Sequence, residues 1–187
     1  MDKRIKIISC WLSLLAGLLV WTGCSEQEIE NKLTTQEQQI DRYITTQAER
    51  YRIVRRNGSN RIILTEGMDE QGTLLPDSLQ YGDSVRFYYA CYLFSNGPST
   101  LYATNHQATA QAKGFQVTDP DFSIEAWLYK KGVWISGVDN GFYGVRTGEH
   151  GYIIFSAKYG FGDEAMYNIP KLSPLLYEYW IEEVKPN

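Results

Sequence analysis

The sequence predicts an α+β domain, an antiparallel β-sheet with one short internal helix, set behind an N-terminal helix. Three observations carry this. Residues 83–94 (DSVRFYYACYLF) alternate, with Val85, Phe87, Tyr89, Cys91 and Leu93 on one face and Arg86, Tyr88, Ala90, Tyr92 and Phe94 on the other. The second face is also fairly apolar, which places this strand inside the sheet rather than at its edge. Leu175 to Val184 alternates in the same way, with Leu175, Tyr177, Tyr179 and Ile181 opposed to Leu176, Glu178, Trp180 and Glu182. Between these strands, glycines punctuate residues 132–162 where helix, turn and strand should meet. Fourteen tyrosines and five tryptophans in 187 residues favour strands over a helical bundle.

Taken in chain order, residues 1–23 have the layout of an export signal. Lys3, Arg4 and Lys6 precede an apolar run from Ile7 to Trp21, followed by Thr22-Gly23-Cys24. The run is shorter than the ~20 apolar residues of a membrane-spanning helix. A small residue before cysteine resembles a bacterial lipobox, although Trp21 stands where that motif usually has leucine. The resemblance implies that Cys24 is lipidated and becomes the N-terminus of a protein anchored in the cell envelope, with the outer membrane the expected site. Ser25-Glu26-Gln27-Glu28 weakly resembles the acidic tag of surface-displayed lipoproteins. Loss of residues 1–23 would take the formal net charge from −4 to −6. With no extended basic cluster, that balance argues against nucleic acid as a partner. Cys91 would then be the one cysteine left without a modification, which excludes a disulfide framework, and its strand position predicts a packed apolar role.

Residues 24–60 read as a polar tether and helix. Leu33, Ile40, Ile44, Ala48 and Tyr51 fall on one helical face, and Thr34 with Glu37 offers a capping box. The arginines at 50, 52, 55 and 56 suit a helix C-terminus, with Asn57-Gly58 as a stop. Three or four turns leaning on the domain are expected. Residues 61–187 form the domain proper, beginning with a strand at Arg61–Thr65. Residues 96–121 show little periodicity and read as a long irregular loop, with a short strand near Phe115-Gln116-Val117.

The domain resembles the FKBP-type peptidyl-prolyl cis-trans isomerases from about Leu74 to Val184. Gly82-Asp83-Ser84-Val85-Arg86-Phe87-Tyr88-Tyr89 is similar to that family's opening G-D-x-V-x-V-x-Y strand, which puts Tyr89 in the proline pocket. Trp134-Ile135-Ser136-Gly137-Val138 is similar to V-I-x-G-W, with Trp134 and Ile135 at the pocket rim. Tyr159-Gly160-Phe161-Gly162 resembles Y-A-Y-G, so Phe161 keeps the ring and loses the hydroxyl. Asn168-Ile169-Pro170 resembles the I-I-P flap, and Tyr177 the strand aromatic beneath the pocket. Trp127 stands near the family's first-strand aromatic. In Thr100 to Asn105, similar to F-D-S-S, Tyr102 replaces phenylalanine and Ala103 replaces the aspartate. The pocket-floor tryptophan is Val138 here.

The resemblance implies an antiparallel sheet wrapped on one short helix and isomerase or folding-helper activity on proline-containing polypeptide segments. Tyr89, Trp134, Ile135, Phe161, Ile169 and Tyr177 would form the site, with no cofactor. Such chemistry needs no nucleophile. Rotation about X–Pro meets a barrier of ~18–20 kcal/mol from amide resonance, and a dry aromatic cup can favour the twisted amide by shape and desolvation. Reinstating tryptophan at 138 and aspartate at 103 is expected to raise turnover. The altered floor and missing carboxylate also fit a catalytically silent module that binds a protein partner, or a structural accessory. Other chemistries lack support. His106 and His150 have no Cys or His at ligand spacing, Asp119-Pro120-Asp121 reads as a turn, and Gly141-Phe142-Tyr143-Gly144 lacks the glycine set of a nucleotide loop.

Overall fold

A computed structural model describes residues 26–116 and 121–187. The export signal, Cys24 and Val117 of the expected short strand lie outside the described residues. Helix α1 spans residues 26–47, about six turns. It is followed by strands β1 (Arg52–Arg56), β2 (Ser59–Thr65), β3 (Ser84–Phe94) and β4 (Pro98–Thr104), then helix α2 (Gln107–Lys113) and strand β5 (Glu125–Leu128). Helix α3 (Ser136–Phe142), strand β6 (His150–Phe155), a 3-10 turn (Ala157–Tyr159) and strand β7 (Leu175–Lys185) complete the chain. None of the described helices is long and apolar enough to cross a membrane.

All strands pair antiparallel, in the order β1-β2-β6-β7-β3-β4, with β5 also on β3. Strand β3 is central, as its two apolar faces require. Its long partner β7 lies on one side. On the other, β5 pairs with Ser84–Phe87 and β4 with Ala90–Phe94. Asn105 joins these two short strands. It is 4% exposed, its Oδ1 accepts from Tyr89 N–H at 2.7 Å, and its Nδ2 donates to Phe87 O at 3.4 Å and Ser123 O at 3.0 Å. The backbone groups left unpaired where β4 and β5 part from β3 are thereby satisfied by one side chain. The β3–β7 register shifts between Arg86 and Phe87, paired with Glu183 and Ile181, so Glu182 forms a bulge. The bulge explains why Ile181 and Val184, three apart, both enter the same core.

The sheet separates two cores. On one face Val85, Phe87, Cys91, Ile153, Phe155, Leu175 and Tyr179 pack with Val138 and Phe142 of α3. Cys91 is 1% exposed and fills space as expected; burial pushes its thiol up to about 12, against a smaller opposing effect of the Tyr177 hydroxyl. Helix α3 can lie close to β6 because it presents glycine at 137 and 141. A Cβ there would fall 2.2 Å from the Phe155 ring and 2.3 Å from Ile153. On the opposite face Ile40 and Ile44 of α1 cover Ile62, Ala90, Tyr92, Phe94, Ile154 and Leu176, and Tyr43 meets Phe94 edge-on at 5.4 Å.

Three local expectations are corrected. Thr34 and Glu37 do not cap α1, because the helix is already formed at residue 26; instead Gln36 of that segment docks it, donating to Leu172 O at 2.8 Å and accepting from Ala157 N–H at 3.0 Å. Residues 52–60 are not a helix end. Asn57 and Gly58 take φ of 44° and 81° and make the two-residue turn of the β1–β2 hairpin, for which Asn-Gly is a strong signal. The arginines of β1 serve a strand: Arg52 forms a two-point ion pair with Glu66 at 2.6 and 2.8 Å. Residues 96–121 are not one irregular loop either, since β4 and α2 occupy them, and Phe115 and Gln116 are outside any strand. Partial pairing with β3 made β4 a strand that its own sequence, which opens on Pro98 and carries no Val or Ile, does not announce.

Candidate functional site

Between α3 and the sheet opens an apolar cavity of about 240 Å³. Strand β3 contributes Phe87 and Tyr89, two residues apart and therefore on one face. Strand β5 contributes Glu125 and Trp127 by the same alternation. Trp134, Ile135, Val138 and Phe142 come from the approach to α3 and from α3 itself, Phe161 from the loop after the 3-10 turn, and Tyr177 from β7.

The rings hold one another. Trp134 is the hub, with its indole 5.3 Å from Trp127, 5.4 Å from Tyr129, 5.1 Å from Phe142 and 5.9 Å from Phe87. Tyr89 and Tyr177 stack at 6.2 Å across the β3–β7 pairing, and Tyr177 stacks in turn on Phe155. Edge-to-face and offset contacts at these separations each add about 0.5–1.5 kcal/mol beyond burial, so the cup is a preformed surface. Its base is anchored by Asp139 of α3. This buried carboxylate accepts from the Tyr81 hydroxyl at 3.3 Å and Gly132 N–H at 3.4 Å, while Tyr129 donates to the Asp139 carbonyl. The Trp134 loop is thereby held against the helix.

Two phenols and one carboxylate supply the polarity. Burial, and after it the neighbouring Glu125 charge, push the Tyr89 phenol above its ordinary range; burial does the same to Tyr177. Both remain protonated donors at neutral pH. Thr104 Oγ1 donates to Tyr89 O at 2.6 Å, which together with Asn105 fixes the Tyr89 backbone. Glu125 Oε2 accepts from the Trp127 indole N–H at 2.5 Å. The arrangement can enclose a small apolar ring, exclude water from one side of it and offer a phenol to a carbonyl.

Of the six residues expected at the site, Tyr89, Trp134, Ile135, Phe161 and Tyr177 line this cavity. Ile169 does not. It is 7% exposed and packed in the core, because the Met166–Ile169 bridge throws Tyr167 outward with φ of 51° and drives Ile169 inward. Ala103 packs against the same core and is not among the lining residues, whereas Val138 is. Phe87, Glu125 and Phe142 were not anticipated as lining. Phe87 shares the Tyr89 face of an evident strand, so alternation alone pointed to it. Glu125 lies in a strand whose existence depends on β3.

The histidines lie elsewhere, both stacked on Trp180 at 4.0 and 5.0 Å, with His150 Nε2 3.0 Å from Glu178. Among the described residues no group of three His, Cys, Asp or Glu side chains is placed to hold a metal ion. A larger groove of about 400 Å³ between α1 and the β1–β2 turn is lined by Glu37, Asp41, Arg55 and Arg56. Its side chains are mostly polar or charged, and Arg55 and Asp41 are already paired at 2.6 Å.

No protein-family model matches the chain, and no curated protein matches it by sequence. Solved structures do. FkpA from Escherichia coli aligns over 100% of this chain and 74% of its own, with TM-score 0.56 and 14% identity. A peptidyl-prolyl cis-trans isomerase from Pseudomonas syringae pv. tomato aligns over 84% of this chain and 96% of its own, with TM-score 0.54 and 14% identity. The N-terminal domain of FKBP42 from Arabidopsis thaliana aligns over 72% and 93%, with TM-score 0.52 and 12% identity. At these identities the likeness speaks to architecture, and on that ground the fold of this chain is FKBP-like.

Proposed function

We propose that the aromatic cup receives proline-containing segments of other polypeptides and accelerates their cis-trans isomerisation, as a folding helper for exported proteins in the bacterial envelope. The observation that carries this reading is the convergence of Tyr89, Trp134, Ile135, Phe161 and Tyr177, distant in the chain, on one apolar cavity. The proline ring would sit among Trp134, Phe161 and Tyr177, with the Tyr89 phenol available to the adjoining carbonyl. Uncatalysed exchange takes tens to hundreds of seconds at 25 °C, and desolvating the amide while fitting its twisted form lowers the barrier without proton transfer. The FKBP-like fold supports the reading as analogy.

Exchange spectroscopy on a proline tetrapeptide tests it. Wild type should accelerate exchange, and Phe161→Ala, which opens one wall, should lower the acceleration by roughly tenfold or more. Rates equal to the uncatalysed one in both proteins would end the enzyme reading. The second reading is a silent module that binds a protein partner, favoured by Ala103 and Val138 at positions where the isomerases carry aspartate and tryptophan.

For location, we propose that Cys24 is acylated and holds the protein on the envelope membrane, the outer membrane being the expected one. Two lipid chains suffice for stable anchoring. Cys24→Ala should leave an unprocessed or soluble protein; an intact mass showing unlipidated wild type that begins at Met1 would end this proposal.

A further inference from the structure

Glu125 is the one charged side chain among the ten residues that line the cup. Its position follows from the sheet. Glu125 is the direct cross-strand partner of Phe87, another lining residue, so both side chains leave the same face. Trp127, two residues on, shares that face, and its indole N–H holds the carboxylate in place. Among the described residues Glu125 takes part in no ion pair, and residues 117–120 contain no Lys or Arg. Around this half-buried carboxylate, which has no ion-pair partner among the described residues, stand the rings of Phe87, Tyr89, Trp127 and Trp134, with Trp127 meeting it by its indole edge. Aromatic faces beside a carboxylate attract a cation twice, through the ring quadrupoles and through the charge. They disfavour an anion, for which the cup offers phenol donors but no cation to offset its desolvation.

We propose that Glu125 makes the cup selective for polypeptide segments in which Lys or Arg adjoins the proline. The inference rests on the proposed binding of proline segments at this site and adds the chemical class of ligand. It replaces the preference for an apolar neighbour that an aromatic and aliphatic rim alone would imply. The net negative charge of the chain acts in the same direction on encounter.

The test uses the full-length protein and matched proline tetrapeptides carrying Lys, Leu or Glu directly before or directly after the proline. Binding is read from the fluorescence of the cup tryptophans, and exchange by NMR. At low salt the Lys peptide should bind roughly five- to tenfold more tightly than the Leu peptide at one of the two positions, with the Glu peptide weakest. The ratio should shrink at ~0.5 M salt. Glu125→Gln should bring the Lys-to-Leu ratio within about twofold, Trp127→Phe should reduce it by freeing the carboxylate, and Glu125→Lys should reverse the order. Leu and Lys peptides bound alike at both positions, or a Lys preference surviving in Glu125→Gln, would overturn the inference and leave the proposed function standing. A Glu125-dependent Lys preference without faster exchange would uphold the inference and replace the enzyme by the binding module. Absence of binding by every peptide would overturn both.

Discussion

Arg61 and Glu149 are 3% and 0% exposed, and each is held by more than the other. The Arg61 guanidinium donates to the carbonyls of Gly141 and Tyr143 at 3.0 Å and of Gly144 at 3.2 Å, with Nε 3.4 Å from Glu149 Oε1. Tyr179 donates to that same carboxylate oxygen at 2.6 Å. The group therefore ties the end of α3 to β2 and β7, directly behind the cup. Burial raises Glu149 above the usual carboxylate range in spite of Arg61, the expected balance for an ion pair taken out of water. Arg61→Ala should cost about 3–5 kcal/mol, since it strands a buried charge and three carbonyls together. Denaturant titration with tryptophan fluorescence would measure this, and a loss under about 1 kcal/mol would contradict the buried network. At Val138 the expected restoration of tryptophan meets an obstacle that sequence does not show. Trp134 and Phe142, 5.1 Å apart, already occupy the cup beside it. Val138→Trp alone should therefore cost about 1–3 kcal/mol through overpacking, and Trp134→Val in the same chain should relieve that cost. Equal stability of Val138→Trp and wild type would show the cup to be roomier than this packing implies.

Among the elements, α1 and the β1–β2 hairpin bear on stability without touching the cup. Ile44, 1% exposed, is the centre of the α1 contact with Tyr92, Phe94 and Leu176. Ile44→Ala should cost about 2–5 kcal/mol from lost transfer energy and the cavity left behind, with the midpoint of unfolding moving and the fluorescence of the folded cup tryptophans unchanged. Because Trp180 packs on the same α1-side core, the spectrum is read in a Trp180→Phe background, where a shift would mean that α1 and the cup are coupled through the sheet. The hairpin is closed at its open end by Arg52 and Glu66, and the Arg52 hydrogen bonds hold Glu66 below its usual value of 4.5. A depressed carboxylate stabilises above its unfolded value and loses that contribution as pH falls through the folded one. Glu66→Gln should accordingly lower stability at pH 7, by less than about 1 kcal/mol for so exposed a pair. The gap should close progressively below about pH 4.5, and a gap that widens on acidification would reverse the assignment.

At the scale of the whole molecule, the sheet divides labour. One face carries α3 and the cup, and the other is covered by α1, so the cup and the N-terminal helix occupy opposite sides of a single layer of strands. The N-terminal helix is thus a second core layer over a sheet whose outer face carries Ile62, Tyr92, Phe94 and Leu176. Strand β3 connects the two sides, sending Phe87 and Tyr89 into the cup and Ala90, Tyr92 and Phe94 toward α1.

That division was legible where chemistry is local and periodic. Alternation in Asp83–Phe94 and Leu175–Val184 determined the two central strands and the faces of their side chains, because a period of two leaves no freedom once one face is buried. The resemblance of residues 82–89, 134–138, 159–162 and Tyr177 to the FKBP-type isomerases supplied five of the residues that line the cup. What the sequence left undetermined depended on partners far along the chain. Strands β4 and β5 are strands because β3 offers its edge, Asn105 matters because it bridges the gap between them, and Arg61 reads as an ordinary strand residue until Glu149 and the α3 carbonyls surround it. Ile169 turned away from the cup because of a single backbone bridge to Met166. Glu125 stands in the cup only through its pairing with Phe87. Local pattern determines which way a side chain points from its own backbone; what it then meets is decided by contacts whose sequence separation no periodicity records.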